Sequence, residues 1–411
     1  MFVKFEGFDF VDGGLCAPKG FKAAGVHCGI RKNKEKRDLA MILADHPCAA
    51  AAIYTQNKVK GAPIVITRRH LKDGMAQAVI CNSGNANTCN ADGEFKALQM
   101  AELCAKALSI RPEDVIVAST GVIGQPLPIE PIEAAVPGLA ASLSKEGSSE
   151  AAEAIMTTDT YKKELAVKFS LGGKDCVVAG IAKGSGMIHP NMATMLCFLT
   201  TDVDIEPMLL KKALKTVADD TFNMVSVDGD TSTNDMVSIL ASGEAGNPKI
   251  KDEERDYELF CNALYALLMN LSREIARDGE GATKLLECVV SGAKTTRDAK
   301  IVAKSVITSS LFKAAMFGED ANWGRILCAV GYSEADLDIK KVAVQLCSVK
   351  GSIDVCENGA GLEFSEEDAK TVLSADEIKI VLRLGDGDGR AVAWGCDLTY
   401  DYVKINGDYR T

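Results

Sequence analysis

The chain has 411 residues, of which 47% are hydrophobic and 25% are charged, and its formal net charge is −11. This size and composition are typical of a folded protein with two or more lobes, and the negative charge argues against a general nucleic-acid-binding surface. The sequence has no apolar run of the roughly 18–20 residues that a membrane-spanning helix needs. Its start also lacks a secretory signal, so we expect a cytoplasmic protein without nucleic-acid or membrane partners.

The first half of the sequence alternates short apolar runs with turns rich in small residues. The apolar runs predict five strands, at 76–81, 114–118, 166–169, 176–182 and 195–199. Apolar residues at helical spacing predict three helices, at 95–108, 132–143 and 150–156. We expect Pro137 to interrupt the second of these helices, because proline has no amide hydrogen to donate.

The second half continues this mixture of helices and strands. The same patterns predict helices at 207–219 and 254–276, and strands at 342–346, 378–384 and 391–397. The glycine-rich segment 385–389 lacks the full ligand spacing of a calcium loop, so we expect it to form a hairpin turn between its flanking strands. The chain is therefore expected to have a mixed α and β (α+β) fold, with sheets layered against helices.

The sequence carries no clear metal-binding pattern. Its 14 cysteines are scattered without a C-x-x-C pair, and its four histidines form no H-x-x-x-H pattern. We expect most of the cysteines to act as small buried hydrophobic groups. Asp228, Asp230 and Asp235 could suggest a metal, but a capped polar loop at 225–235 is the favoured interpretation. No bound metal or cofactor is expected.

The segment 183–198 carries the strongest chemical signal. Loop residues run into an apolar strand at the junction between Ala193 and Thr194. A threonine hydroxyl becomes a good nucleophile when cleavage of the preceding peptide bond frees an α-amino group to act as its base. We expect Gly184 and Gly186 to permit unusual backbone geometry that strains the loop toward an N→O acyl shift. Taken alone, the position of Thr194 favours a threonine that simply opens a strand, because β-branched residues are common in strands.

Two further groups are weaker candidates for chemistry. Thr120 and Gly121 follow a predicted strand, where a hydroxyl and a backbone N–H can point at one place, as an oxyanion hole requires. Glu280 lies in a loop after the long helix, where its carboxylate could meet an ammonium group or exchange a proton. The ordinary alternatives are a strand–turn junction and a helix end stopped by glycine.

The order of several sequence blocks resembles the ornithine acetyltransferase family, the glutamate N-acetyltransferases of arginine biosynthesis. The matching blocks span most of the chain, at 17–25, 82–87, 119–124, 183–195, 278–283, 318–325 and 402–411. The resemblance implies the fold of that family and of the β-aminopeptidases. It also implies self-cleavage between Ala193 and Thr194, which divides the chain into an α chain (1–193) and a β chain (194–411). Two copies of each would assemble.

The same resemblance implies a ping-pong reaction in which Thr194 takes an acetyl group from N2-acetylornithine and passes it to glutamate. Thr120 and Gly121 match the family's oxyanion-hole pair. The positions that match its substrate contacts are Thr157, Lys183, Thr194, Glu280, Asn406 and Thr411. Whether acetyl-CoA also serves as a donor is left open, because no motif in the sequence separates enzymes that use it from those that do not.

Two other functions remain compatible with these residues. One is a threonine-nucleophile amidase or aminopeptidase, which shares the cleavage but releases its acyl group to water. The other is a non-enzymatic protein that binds a small molecule in a pocket containing Thr194. Formation of an acetyl-enzyme and transfer of its acetyl group to glutamate separate these alternatives from the acetyltransferase.

Overall fold

The computed structural model describes residues 2–189 and 195–407. Within these residues the chain forms one sheet of nine strands and one of seven, with helices packed between and around them. This confirms the mixed α and β fold expected from the sequence. Among the described helices, none is both long enough and apolar enough to cross a membrane.

Seven strands and four α-helices precede residue 190. The strands are β1 (Asp9–Val11), β2 (Phe21–Val26), β3 (Leu39–Tyr54), β4 (Met75–Asn82), β5 (Val115–Ser119), β6 (Lys163–Leu171) and β7 (Lys174–Lys183). The helices are α1 (Ala62–His70), α2 (Gly93–Leu108), α3 (Glu130–Ala141) and α4 (Ser148–Ile155). Short 3₁₀ turns lie at Gly14–Cys16 and Pro112–Asp114.

Nine strands and seven α-helices are described after residue 194. The strands are β8 (Leu196–Thr201), β9 (Val225–Ser226), β10 (Met236–Ala241), β11 (Leu285–Ala293), β12 (Ala343–Ser348), β13 (Gly351–Glu357), β14 (Ala360–Gly361), β15 (Glu377–Arg383) and β16 (Gly389–Cys396). The helices are α5 (Pro207–Asp220), α6 (Arg255–Arg277), α7 (Thr296–Thr308), α8 (Ser310–Phe317), α9 (Trp323–Gly331), α10 (Glu366–Leu373) and α11 (Tyr400–Gly407). Further 3₁₀ turns lie at Phe222–Met224 and Ile339–Lys341.

The nine-stranded sheet interleaves strands from both parts of the chain. Its order is β1-β6-β7-β8-β10-β3-β4-β5, with β2 also paired to β3. Strand β8 lies between β7 and β10, with Leu196 opposite Lys183 on one side and Met236 on the other. The predicted chain boundary at 193/194 falls outside the described residues and stays a prediction. Strands from both predicted chains nevertheless contribute to this one sheet.

Helix α6 joins the two sheets into one core. It packs against β6 and β7 of the larger sheet and against β11 and β16 of the smaller one. Its apolar face is fully buried and includes Phe260, Leu264, Leu267, Leu268 and Leu271. Burying one such side chain contributes roughly 1.5–3 kcal/mol to stability. The apolar spacing in the sequence predicted this helix, and the sheets on both sides of it explain why so many of its residues are apolar.

The expected interruption of the third helix at Pro137 was wrong. Helix α3 runs from Glu130 to Ala141 with Pro137 inside it. Proline removes one backbone hydrogen bond, but Ile132, Val136 and Leu139 are all buried on the inner face of the helix. Their packing outweighs the lost bond, and the proline itself lies on the exposed side.

The segment Gly385–Gly389 does not form the expected hairpin. Its flanking strands, β15 and β16, are not neighbours, because β11 lies between them and pairs with both. The segment crosses the end of β11, where the Asp386 amide donates to the Gly292 carbonyl at 2.7 Å. Glycines permit this close crossing, since a Cβ on Gly387 would lie 2.6 Å from the Ala293 carbonyl oxygen and a Cβ on Gly292 would lie 2.9 Å from the Gly385 nitrogen.

Candidate active site

One cavity of about 130 Å³ collects most of the candidate site residues. It lies where β5 and β7 end, beside the loop after α6. Six of the residues singled out in the sequence line it, namely Thr120, Gly121, Thr157, Lys183, Glu280 and Asn406. The remaining three, Ala193, Thr194 and Thr411, lie outside the described residues. The structure therefore brings together every candidate residue that it describes.

A smaller cavity of about 20 Å³ adjoins the first and extends toward the start of β8. Thr120 and Lys183 line both spaces, and Met195 and Asp235 line the smaller one. The Met195 carbonyl accepts a hydrogen bond from the Met236 amide at 2.9 Å, which fixes the start of β8 against β10. The residue that follows Thr194 thus borders the smaller cavity together with Thr120 and Lys183.

Thr120 and Gly121 are held by the polar turn at 82–87. The Thr120 amide donates to the Asn82 carbonyl at 2.9 Å. Gly121 has a φ of 131°, and a Cβ there would lie 2.7 Å from the Asn85 nitrogen, so this position needs glycine. Within the described part of the chain, neither the Gly121 N–H nor the Thr120 hydroxyl makes a hydrogen bond. Both donors line the cavity and are available to a ligand.

Lys183 is the buried cation of the cavity. It is the last residue of β7, and only 7% of its surface is exposed. Burial lowers its pKa, because a low-dielectric surrounding disfavours the ammonium form, although carboxylates including Asp159, Asp235 and Glu280 act in the opposite direction. Such a weakly solvated cation can bind a carboxylate strongly, because it gives up little hydration when the carboxylate arrives.

A buried ion cluster supports the wall next to Lys183. The Lys163 ammonium lies 2.8 Å from Asp159 Oδ1 and 2.6 Å from Asp278 Oδ2. Asp159 also accepts from the amides of Gly184 and Thr157, at 2.8 and 3.0 Å. Although burial opposes ionisation of Asp159, Lys163 and Lys183 lower its pKa, so this carboxylate stays charged. Through these contacts the cluster holds the loop that contains Thr157 against the end of β7.

Glu280 and Asn406 form a polar pair on another part of the cavity wall. The Asn406 amide donates to Glu280 Oε2 at 2.7 Å, and this contact joins α11 to the loop after α6. Only 8% of the Glu280 surface is exposed, and its own amide donates to the Ser185 carbonyl at 3.1 Å. A Cβ on Gly186 would collide with the Glu280 carboxylate. The carboxylate is thus fixed against the loop that leads toward the predicted cleavage site.

The backbone strain in this loop lies on different residues from those expected. Gly184 and Gly186 do not adopt left-handed backbone conformations, whereas Ser185 has a φ of 94° and Met187 a φ of 56°. The glycines are needed for close packing instead, since a Cβ on Gly184 would lie 2.7 Å from Ile275 Cγ2. Positive φ at side-chain-bearing residues is costly and clusters at functional sites. The unusual backbone geometry expected of Gly184 and Gly186 is therefore found at Ser185 and Met187 instead, and the N→O acyl shift at Ala193–Thr194, outside the described residues, stays a prediction.

Several residues that the sequence did not single out for acyl transfer also line the site. They are Ala86, Ile123, Thr158, Met187, Ser232, Thr233, Asn234 and Asp235. Asn234 is the most connected, because its amide donates to the carbonyls of Ala86 and Ser119 while its oxygen accepts from Thr88 and Thr233. The only signal in the sequence was a polar loop between apolar strands, which resembles many surface turns.

The acidic residues of that loop have separate structural surroundings. Asp228 accepts from the amides of Met187, Ile188 and Asp230, as expected of a capped loop. Asp235 is 2% exposed, its Oδ2 has no hydrogen-bond partner among the described residues, and burial raises its pKa well above the usual range. No cluster of three metal-ligating side chains occurs in 2–189 and 195–407.

His189 lies at the edge of the same region. Its Nδ1 is 3.1 Å from the Ser226 hydroxyl. Burial lowers its pKa to about 4, so the imidazole is neutral near pH 7. The sequence gave this histidine no chemical role, and it does not line either cavity.

Comparison with known proteins adds a family relationship to this geometry. The sequence model of the ArgJ family matches residues 22–411. The arginine biosynthesis bifunctional protein ArgJ 1 of Clostridium acetobutylicum is 52% identical over 392 residues, which cover 95% of this chain and 96% of that protein. The arginine biosynthesis bifunctional protein ArgJ of Bacillus subtilis is 48% identical over 406 residues, with 98% and 97% covered.

A solved structure of ornithine acetyltransferase from Mycobacterium tuberculosis, in complex with ornithine, is also similar. It is 38% identical in sequence, and the TM-score is 0.42. The match covers 45% of this chain and 100% of that chain.

Proposed function

The chain belongs to the ArgJ family, and from this we propose that it is an acetyltransferase of arginine biosynthesis that moves an acetyl group from N2-acetylornithine to glutamate. The observation that best supports the proposal is the convergence of six candidate residues on one cavity. They come from distant parts of the sequence, between residues 120 and 406. The cavity offers a cation and a carboxylate that can bind charged amino-acid groups, and two hydrogen-bond donors, unpaired within the described residues, that can stabilise an oxyanion.

We propose that Thr194 is the nucleophile after the chain cleaves itself between Ala193 and Thr194. Thr194 lies outside the described residues, but Met195 borders the cavity beside Thr120 and Lys183. The Thr194 hydroxyl would attack the acetyl carbonyl of N2-acetylornithine, and its proton would pass to the new α-amino group. When the carbon–nitrogen bond breaks, the leaving amine takes that proton, and ornithine departs from an acetyl ester on Thr194.

The second half of the reaction reverses these steps with a different amine. The amino group of glutamate attacks the ester carbonyl and gives a proton to the Thr194 α-amine. The carbon–oxygen bond then breaks, and Thr194 recovers its hydroxyl proton as N-acetylglutamate forms. In both halves the oxyanion would accept hydrogen bonds from the Thr120 hydroxyl and the Gly121 N–H, because these donors line the cavity and have no other partner among residues 2–189 and 195–407.

We propose that the charged groups of the cavity select the substrates. Both substrates carry an α-carboxylate, which suits the buried Lys183, and ornithine adds a side-chain ammonium, which suits Glu280. Thr157 and Asn406 complete the described part of the binding site, and Thr411 would join it from the carboxyl terminus. The reaction needs no bound cofactor, since each half exchanges an acetyl group directly between protein and substrate.

Other features of the proposal rest on the family resemblance. We propose a cytoplasmic enzyme of two α and two β chains, the β chain beginning at Thr194. Acetyl-CoA is proposed as a second acetyl donor, because the curated relatives are named bifunctional proteins. An assay of glutamate acetylation with acetyl-CoA in place of N2-acetylornithine tests this part separately.

One combined experiment tests the central proposal. Purified protein on a denaturing gel is expected to give fragments of 193 and 218 residues. Incubation with N2-acetylornithine should acetylate the 218-residue fragment, and added glutamate should remove the acetyl group as N-acetylglutamate. Release to water as free acetate would favour an amidase, and a protein that is never acetylated would favour a binding protein. Undiminished transfer by Thr194→Ala would overturn the proposal.

A further inference from the structure

A groove much larger than the catalytic cavity lies on another part of the surface. Its volume is about 860 Å³, and it runs between α1, the first turns of α5 and the second half of β3. This volume falls in the range of roughly 300–1,000 Å³ that is typical of small-molecule sites. Its lining shares no residue with the catalytic cavity, and nothing in the proposed acetyl transfer uses it.

The groove concentrates positive charge in an acidic protein. Five cationic side chains line it, namely Lys60, Arg68, Lys72, Lys211 and Lys215, against one carboxylate. None of the five forms an ion pair with another described residue, although the chain as a whole has 57 acidic and 46 basic residues. Unpaired charges of one sign around a concave surface create a strong local potential, which here attracts anions.

Two contacts show that the positive charge of the groove is fixed in position and is not neutralised by the carboxylate in its lining. Arg68 lies 5.8 Å from the centre of the Tyr54 ring, an arrangement that orients its guanidinium at the groove. The acid in the lining, Asp73, accepts a hydrogen bond from the Met75 amide at 3.1 Å and serves the turn before β4. A guanidinium with a fixed plane binds phosphate or carboxylate through two parallel hydrogen bonds.

The floor of the groove is an edge of β3 without a strand partner. Residues 50–54 of β3 pair with β10, but pairing with β4 reaches only as far as Ala49. The Thr55 amide donates to the Asp235 carbonyl on the β10 side. Because successive amides of a strand point in opposite directions, the amides of Ala52 and Tyr54 point toward the groove. Alanine side chains on this strand let a ligand approach the backbone closely.

We infer that this groove binds a phosphorylated ligand of nucleotide size. Five unpaired cations exceed what one amino-acid carboxylate would require, whereas a diphosphate with a further phosphate ester carries several negative charges. Such a ligand could be the coenzyme part of an acyl thioester or a free nucleotide, and phosphate recognition is common to both. The first of these would rest on the proposed use of acetyl-CoA, but binding itself does not depend on that function.

The position of the groove also allows it to affect catalysis. The segment 55–61 leads from the groove floor to α1 and lies directly against the segment 231–235. The Gly61 amide donates to the Thr233 carbonyl at 2.9 Å, and the Thr55 amide donates to the backbone carbonyl of Asp235 at 3.1 Å. Thr233 lines the catalytic cavity and Asp235 its extension. A single layer of backbone therefore separates the two sites.

Calorimetric titration of the intact protein with coenzyme A, ATP and inorganic pyrophosphate tests the inference. At least one probe should bind, more weakly as salt is added, because counterions compete for the cations. The double variant Lys72→Gln/Lys211→Gln should weaken that binding roughly tenfold or more. Lys212→Gln is the matched control, since Lys212 is on the same helix as Lys211 but pairs with Glu253 and does not line the groove.

The outcomes identify the ligand or overturn the site. Preference for coenzyme A, together with a raised KM for acetyl-CoA and an unchanged KM for N2-acetylornithine in the double variant, supports a thioester donor. Equal or tighter binding of ATP or pyrophosphate supports a separate phosphorylated ligand. The inference is wrong if no probe binds, or if the double variant binds as tightly as Lys212→Gln. In that case the lysines only protect an exposed strand edge. The binding measurements do not depend on whether the protein transfers acetyl groups from N2-acetylornithine; only the comparison of KM values does.

Discussion

Lys183 and Glu280 line the same cavity, and both side chains are largely buried. Burial strengthens their attraction for an amino-acid substrate, because less solvent competes for the charges. It also makes the charge of Lys183 sensitive to pH, since burial lowers the pKa of its ammonium group. Single residues in this site therefore influence both the affinity for substrate and its pH dependence.

The alkaline side of the pH profile should report on Lys183. As pH rises through the lowered pKa, the ammonium loses its proton and with it the attraction for the substrate carboxylate. We expect kcat/KM for N2-acetylornithine to fall at a pH below that at which an ordinary lysine titrates, while the α-amine base governs the acidic side. Measured profiles should show the alkaline fall in the native enzyme and its loss, at a lower plateau, in Lys183→Met. An unchanged alkaline fall in that variant would assign it to another group.

Removal of the Thr120 hydroxyl should slow the chemical step. Thr120→Ala is expected to lower kcat by about 10²–10³, because one donor to the developing oxyanion is lost. Substrate affinity should change little, since the donor acts mainly in the transition state. Steady-state kinetics of Thr120→Ser, which retains a hydroxyl, provide the control. A kcat in Thr120→Ala equal to that of the native enzyme would exclude this residue from the oxyanion hole.

At the scale of elements, the loop after β7 depends on close packing of its glycines. Gly186→Ala should displace the Glu280 carboxylate, because the added Cβ would occupy its place, and should raise KM for N2-acetylornithine. Gly138→Ala offers a matched change, since nothing lies within 4 Å of a Cβ at this position in α3. That variant should stabilise the protein by about 0.5–1 kcal/mol through higher helix propensity and leave kinetics unchanged.

Thermal unfolding and substrate kinetics of the two alanine variants check this prediction together. If Gly186→Ala binds N2-acetylornithine as the native enzyme does, Glu280 either tolerates the displacement or does not contact the substrate. A destabilised Gly138→Ala would indicate that α3 is distorted around Pro137, contrary to the continuous helix that the structure describes.

The elements differ in how well their sequence determines them. The sequence predicted the position of α6, because the apolar residues of one helix recur at a regular spacing within a single continuous segment. The path from β15 to β16 across β11 could not be predicted, since strand pairing depends on residues far apart in the chain. Similarly, Ser185 and Met187 adopt positive φ because of their surroundings, and no local preference in the sequence marks them.

At the scale of the whole molecule, the candidate site was easier to predict than its framework. The resemblance to the acetyltransferase family named six residues that line one cavity. The supporting contacts were missed, among them the Asn234 hydrogen bonds and the cluster around Lys163, because they join segments that are distant in sequence. Side chains that contact substrate resemble each other across a family, whereas supporting contacts become visible only in three dimensions.

The shared sheet leads to a prediction about the cleaved molecule. Strand β8 follows the proposed cut and lies between β7, which precedes the cut, and β10. Separating the fragments would break the pairing of β7 with β8 and of β10 with β3, and would expose the apolar surface that α6 buries against β6 and β7. The interface thus has the character of a domain core, so cleavage should leave the fragments bound to each other.

We therefore expect the fragments to elute together in size-exclusion chromatography under native conditions and to separate only in denaturant. The uncleaved variant Thr194→Ala should elute at the same volume, because the cut removes no contact within the sheet. Mixing separately refolded fragments should restore little activity, since each fragment alone would present unpaired strand edges that favour aggregation. Dissociation of the cleaved enzyme on simple dilution would mean that the fragments are held by surface contacts and not by the shared sheet.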